Sequence, residues 1–160
     1  MVNAYIGLGS NLDNPIEHIH QAVEDLKILP KSRVMLASKL YLSKPVGPQD
    51  QDDFINSVVM LETTLEPLAL LDHLQAIEQS HQRVRKRHWG PRTLDLDLLL
   101  FGDLSIQNAR LTVPHAEINN RDFVIGPLYE LCPELALPNG TKIQDLLQHC
   151  PIDGLVCLDS

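Results

Sequence analysis

Two carboxylates, Asp95 and Asp97, lie one residue apart in the run Thr93-Leu-Asp-Leu-Asp-Leu-Leu-Leu-Phe101. Leu94, Leu96 and Leu98 alternate with them, the period-two pattern of a strand with one buried face, so both acids share the other side. Aspartate is a poor strand former, and two of them in a strongly apolar strand call for compensation. A divalent cation supplies it; a simply solvated face is the plainer alternative. No cysteine accompanies the pair, and all-oxygen donors favour Mg2+, which is commonly held by one or two carboxylates together with phosphate oxygens. Directly upstream, Arg83, Arg85, Lys86, Arg87 and Arg92 account for five of the 13 Lys and Arg residues, with no acid between 83 and 92. Trp89, the only tryptophan, lies among them beside Gly90 and Pro91. An aromatic residue in a cationic loop suits a lid that stacks on a ring while guanidinium groups meet phosphate. A solvated charge run is the usual alternative. Side by side, the two features point to metal and phosphate chemistry.

A second polar group gathers Arg110, His115 and Arg121 in one short irregular stretch, which favours anion binding over a lone structural histidine. Phe54 and Phe123 are two of only three phenylalanines, and they read equally as core or as a ring-stacking pair. His18 and His20 fall in a helix at a spacing that shares no face, so both are expected at the surface. Gly7-Leu-Gly9 invites a dinucleotide reading, but Leu12 stands where the third glycine belongs, and no P-loop motif occurs. Those glycines read instead as a tight exit from a strand. No Ser-His-Asp or Cys-His arrangement is evident.

The elements that must position these residues follow from periodicity and punctuation. Val2 to Leu8 reads as a strand, and Asn14 as the N-cap of a helix with Pro15 at its first position and a stripe of Ile16, Ile19, Val23 and Leu26 running to about Leu29. Val34 to Leu42 and Phe54 to Leu65 read as strands, separated by the polar loop Ser43 to Asp53. Pro67 opens a second helix, with Leu70, Leu71, Leu74 and Ile77 on one face, to roughly Arg83. A loop over 84–92 then leads into the aspartate-bearing strand. Short extended pieces at Leu104–Ile106 and Leu111–Val113, a helix from about Arg121 to Leu131, another near Ile143–His149 and a short tail complete the chain. The order strand-helix-strand-strand-helix-strand is that of the ferredoxin-like split motif, an α+β sandwich with a mainly antiparallel sheet and helices packed on it.

Composition bounds the function. The 160 residues suit one domain over 1–160, and 44% hydrophobic with 21% charged residues reads as globular, not disordered. A formal net charge of −8 should repel nucleic acid, so the basic cluster suits a small polyanion. Cys132, Cys150 and Cys157 show no Cys-x-x-Cys spacing, which argues against a disulfide framework or a zinc site. Asn139-Gly-Thr141 is read as a turn. No signal-peptide pattern and no apolar run long enough to span a bilayer are found, so a cytoplasmic, membrane-free protein is expected.

With Gly9-Ser-Asn-Leu12, Val46-Gly-Pro-Gln-Asp-Gln51, Arg83-Val-Arg-Lys86, Trp89-Gly-Pro-Arg-Thr-Leu-Asp-Leu-Asp97, Arg110-Leu-Thr-Val-Pro-His115 and Asn120-Arg-x-Phe123, the chain resembles the 6-hydroxymethyl-7,8-dihydropterin pyrophosphokinases of folate biosynthesis over nearly its whole length. The resemblance implies a ferredoxin-like fold and transfer of pyrophosphate from ATP to the pterin hydroxymethyl group, releasing AMP. It implies that Asp95 and Asp97 ligate two Mg2+ ions and that Arg83 and Arg92 assist the transfer. Gln75, Glu78, Arg85, Trp89, Arg110, Thr112, His115 and Arg121 are then nucleotide residues. Phe54 and Phe123 sandwich the pterin, Asn56 bonds its edge, and Ser43, Pro45 and Val46 complete the pocket. ATP and a small pterin are the implied partners of a monomer that binds neither nucleic acid nor membrane. Ala116 stands where the family has a tyrosine, Ser43-Lys44 where it has Thr-Pro, and the segment between Arg83 and Trp89 is one residue shorter. A Mg2+-dependent nuclease or nucleotidyltransferase, and a nucleotide-sensing ferredoxin-like module, are the rival readings; the net acidity disfavours the first.

Overall fold

The computed structural model describes residues 1–11, 14–43, 53–81, 93–116, 118–119, 121–150 and 155–158. Strand β1 (Val2–Ser10) is paired on both edges, and its alternate residues serve two layers. Ala4, Ile6 and Leu8 pack into one apolar cluster and Tyr5 into another, as a two-residue pleat requires. On the first face, helix α1 (Pro15–Lys27) seats Ile19, Ala22 and Leu26, and helix α2 (Pro67–His81) seats Leu70, Leu71, Leu74 and Ile77. Those three-, four- and seven-residue spacings make one stripe per helix. Each such Leu or Ile contributes roughly 1.5–3 kcal/mol over leaving it in water. On the second face, α3 (Asp122–Leu131) and α4 (Ile143–His149) bring Val124, Ile125, Leu128, Ile143 and Leu146 against Tyr5 and Val58.

The main sheet runs β5 (Asp95–Phe101), β1, β4 (Phe54–Thr63), β3 (Leu40–Ser43), β8 (Val156–Leu158), with β2 (Ser32–Ala37) also on β4. All of these pairings are antiparallel. The architecture is the α+β sandwich expected from the element order, with α3 and α4 as a further layer.

Several boundaries differ from the sequence reading. The single strand expected over Val34–Leu42 is split, because buried Ser38 turns its backbone and side chain onto one residue of β4. Its N–H donates to the Val58 carbonyl at 2.8 Å, and its Oγ accepts the Val58 N–H at 2.9 Å. Strand β4 stops at Thr63, short of Leu65, where Thr63 Oγ1 accepts the Leu65 N–H at 3.0 Å and turns the chain toward α2. Asn14 precedes α1, but makes no side-chain cap bond. Its φ of 64° is left-handed, which asparagine tolerates, and its carbonyl accepts the His18 N–H at 3.2 Å. The strand near Leu104–Ile106 is Ile106–Gln107 (β6), paired with Thr112–Val113 (β7). The tail holds β8, three residues too short to carry a pattern.

Strand β5 matters most for the site. Leu94, Leu96 and Leu98 are buried in the first cluster, while Asp95 and Asp97 are half-buried on the opposite face. Ile6 pairs with Leu98 and Tyr5 with Leu100, so Leu99 is an extra residue, a β-bulge. Leu99 and Leu100 both join the second cluster, which ends the acidic half of the strand and begins its fully covered half.

Candidate active site

The floor of the site is a row across neighbouring strands. Gly9 of β1 is paired with Asp95 on one side and Asn56 on the other, and Gly7 with Asp97 and Val58. Residues directly opposite in antiparallel strands share a face, so the two acids and Asn56 flank positions that carry no side chain. A Cβ on Gly9 would come within 3.4 Å of Asn56 Oδ1 and 3.8 Å of the Phe54 ring. A Cβ on Gly7 would touch Leu99 at 3.4 Å. The glycines are therefore more than a strand exit: they keep a flat bed between the carboxylates and the amide.

Asn56 is buried and held in place. Its Nδ2 donates to Ser43 Oγ at 2.6 Å, which turns Oδ1 toward Gly9. Phe54, two residues back on the same face, is half-buried. Phe123, in the first turn of α3, is half-buried too, with the Arg121 guanidinium 5.6 Å from its ring centroid. Phe123 packs on the rim of the second cluster, and both rings keep part of their surface exposed. The far end of α3 is tied to the sheet by Glu130, whose carboxylate accepts the Tyr41 hydroxyl and the Lys39 N–H. Burial, then that carboxylate, holds the Tyr41 phenol well above its ordinary range.

A second set of residues gathers along the outer edge of β5, the last strand of the sheet. Glu78 of α2 accepts the Leu96 N–H at 2.8 Å, between the two aspartates in sequence. Arg110 reaches back to Asp72 at 2.6 Å and Gln75 at 3.1 Å, tying the β6–β7 hairpin to α2. His115, half-buried, donates its N–H to the Leu99 carbonyl at 3.0 Å, and Thr112 is exposed. Gln75, Glu78, Arg110 and His115 are thus brought together, whereas Arg121 sits with Phe123 on α3. Arg83, Arg85, Trp89, Arg92, Pro45 and Val46 lie outside the described residues.

Asp95 and Asp97 suit a hard cation. Their donors are oxygens, they are half-buried, and the opposing β1 positions are glycines. Among the described residues no group of three or more His, Cys, Asp or Glu converges. Two carboxylates with water and phosphate oxygens is the arrangement Mg2+ accepts.

His18 corrects the sequence reading. It is not a surface residue: it is half-buried, and its Nδ1 lies 2.7 Å from Nδ1 of His81, a residue the sequence reading left unremarked. His81 Nε2 in turn meets Asp25 Oδ2 at 2.9 Å. The legible signal was the seven-residue spacing of His18 and Asp25, two turns on one helix face. His20 is exposed as expected.

A family model described as 7,8-dihydro-6-hydroxymethylpterin-pyrophosphokinase (HPPK) matches residues 5–133. The 2-amino-4-hydroxy-6-hydroxymethyldihydropteridine pyrophosphokinase of Haemophilus influenzae is 51% identical over 149 residues, 93% of each chain. Its Pseudomonas aeruginosa counterpart is 50% identical over 151 residues, 94% of this chain and 93% of that one. Among solved structures, a Plasmodium falciparum HPPK-DHPS chain superimposes with a TM-score of 0.74 at 15% identity, over 92% of this chain and 44% of that chain. The present chain therefore spans under half of that longer one, and the likeness concerns the fold.

Proposed function

We propose, from the premise that this chain belongs to the 7,8-dihydro-6-hydroxymethylpterin-pyrophosphokinase family, a residue-by-residue account of one reaction. The chain is an ATP-dependent pyrophosphokinase of folate biosynthesis, transferring the pyrophosphoryl group of ATP to the hydroxymethyl group of 6-hydroxymethyl-7,8-dihydropterin. The observation that carries this is half-identity to pyrophosphokinases along 93% of both chains. The hydroxymethyl oxygen bonds to the β-phosphorus, the bond from that phosphorus to the α-phosphate oxygen breaks, AMP leaves, and the hydroxyl proton is lost.

Most of the catalysis is positioning and charge stabilisation, since the transferred group passes through a loose, highly charged state. Asp95 and Asp97 would hold the cations, two Mg2+ ions in our reading, whose contribution when bound is to neutralise phosphate charge and acidify the attacking hydroxyl. Asn56, oriented by Ser43, presents Oδ1 to the edge of a ring lying on the Gly7–Gly9 bed between Phe54 and Phe123. Pro45 and Val46 would close that pocket. Gln75, Glu78, Arg110, Thr112 and His115 line the nucleotide side at the edge of β5, and Arg121, which lies over Phe123 just ahead of α3, is assigned to the nucleotide by the family pattern. Arg83, Arg85, Trp89 and Arg92 are assigned to the triphosphate and base by the family pattern in the sequence, with Arg83 and Arg92 stabilising the transferring group.

Further parts of the reading are that residues 1–160 form one catalytic domain, that it acts as a monomer in the cytoplasm, and that it does not bind nucleic acid. The net charge of −8 supports the last point, and no helix among the described residues is long and apolar enough to cross a membrane. Incubating the protein with ATP, Mg2+ and the hydroxymethyl pterin tests the reaction: AMP and pterin diphosphate should appear in equal amounts. ADP in place of AMP, or neither, would overturn it.

A further inference from the structure

Nothing in either proposed substrate site uses the partly buried polar side chains between α1 and α2. His81 is the last residue of α2, and its side chain is only 7% exposed. Asp25 can only accept, so the His81 Nε2–H donates to it across 2.9 Å. The other ring nitrogen of His81 is hydrogen-bonded to His18 Nδ1, 2.7 Å away, with either ring able to be the donor. The result is a hydrogen-bonded chain of His18, His81 and Asp25 along one wall of a cleft of about 740 Å3 that reaches Thr93, just ahead of β5. Both nitrogens of His81 are engaged at once, so the ring cannot swing without breaking two bonds.

Three residues earlier, Glu78 holds the β5 edge through the Leu96 N–H, and Ser80 closes the same turn on the Ile77 carbonyl at 2.7 Å. The last turn of α2 is therefore gripped from two sides, by β5 through Glu78 and by α1 through His81. Directly after His81 the sequence enters the segment that carries Arg83 and Arg85. Apolar contacts would hold two helices together without fixing rotation, because they have no direction. A chain of hydrogen bonds does fix it.

We propose that His18, His81 and Asp25 are positioning residues for the nucleotide: they lock the rotation of the last turn of α2, and with it Glu78, without touching substrate. This rests on assigning Gln75 and Glu78 to the ATP side. His81→Leu keeps the apolar packing and removes the direction. It should weaken binding of α,β-methylene-ATP with Mg2+ about ten-fold, a typical coupling through a packed network. Pterin affinity and the melting temperature should stay near wild type. Asp25→Ala should act in the same direction, and Asp25→Asn, which keeps an acceptor for Nε2–H, should restore most of the loss. Adding Asp25→Ala to His81→Leu should cost nothing more, as members of one chain are not additive. Unchanged nucleotide affinity in His81→Leu, equal weakening of nucleotide and pterin, or an Asp25→Asn no better than Asp25→Ala would overturn the proposal. Absence of AMP release by the wild type would instead overturn the reaction assignment, while these equilibrium titrations would still decide the relay.

Discussion

Toward α1 and α2, the strands present Ala4, Ile6, Leu8, Ile55, Val59, Leu61, Leu94, Leu96 and Leu98, all buried. Toward α3 and α4, the same strands present Gly7, Gly9, Asn56, Asp95 and Asp97 before the apolar cover of Tyr5, Val58 and Leu99 begins. One face is given to stability along its whole length; the other is divided between cover and the proposed site. Charges explain the division. Two carboxylates under a helix would lose hydration at several kcal/mol each, so the acidic half of β5 has to lie where α3 and α4 do not reach. The bulge at Leu99 is the switch, since it moves consecutive leucines onto the second face as soon as the acids end.

The largest effect expected from this contrast is at Asp97. Asp97→Ala should lower AMP release by at least about 10³-fold, the scale of losing a main electrostatic stabiliser, while the melting curve stays close to wild type. Near-normal turnover would remove the metal assignment. Leu96, one residue away and facing the other layer, should behave in the opposite way. Leu96→Ala should cost about 2–5 kcal/mol in urea unfolding, with activity per folded molecule nearly intact. A variant that stayed stable but lost turnover would mean the two faces are not separable. Gly9→Ala should come next: its methyl would fit in ordinary contact 3.4 Å from Asn56 Oδ1 but would stand up in the ring bed, so the KM for pterin should rise about ten-fold with the KM for ATP unchanged. An equal rise in both would show that Gly9 shapes the sheet and not the ring bed.

The same contrast explains what could be read in advance. The first face was legible because it is periodic: the Leu94-Leu96-Leu98 alternation and the stripes of α1 and α2 follow directly from burial on one side. Asp95 and Asp97 were legible for the same reason, as the interruptions of that pattern. The bed was not, because glycines at 7 and 9 look like a turn until their cross-strand partners are known. The His18–His81 contact joins residues 63 apart in the chain, and no local pattern encodes such a pairing. The break at Ser38 is not encoded in periodicity, because it depends on one serine satisfying both backbone groups of Val58.

The smallest expected difference concerns alkali. The first cluster is built from aliphatic residues and Phe101, with no titrating group, whereas the second contains Tyr5, packed with the cover helices. Burial, with a smaller contribution from Cys132, pushes the Tyr5 phenol up from 10.0 to about 12. The folded value lies above the unfolded one, so the folded state keeps its proton longer. Stability is then fully present below pH 10 and is lost as the pH rises toward 12. In Tyr5→Phe the ring stays and the proton question disappears. The unfolding free energies of the two proteins, from urea titrations, should therefore run parallel up to pH 10 and diverge above it, by roughly 1 kcal/mol at pH 11. Because the ionising group belongs to one layer only, methyl resonances of Ile125 should broaden before those of Ile19 as the pH is raised. Simultaneous broadening would mean that the sheet transmits the loss of one layer to the other, and that the two faces, distinct in chemistry, unfold as one.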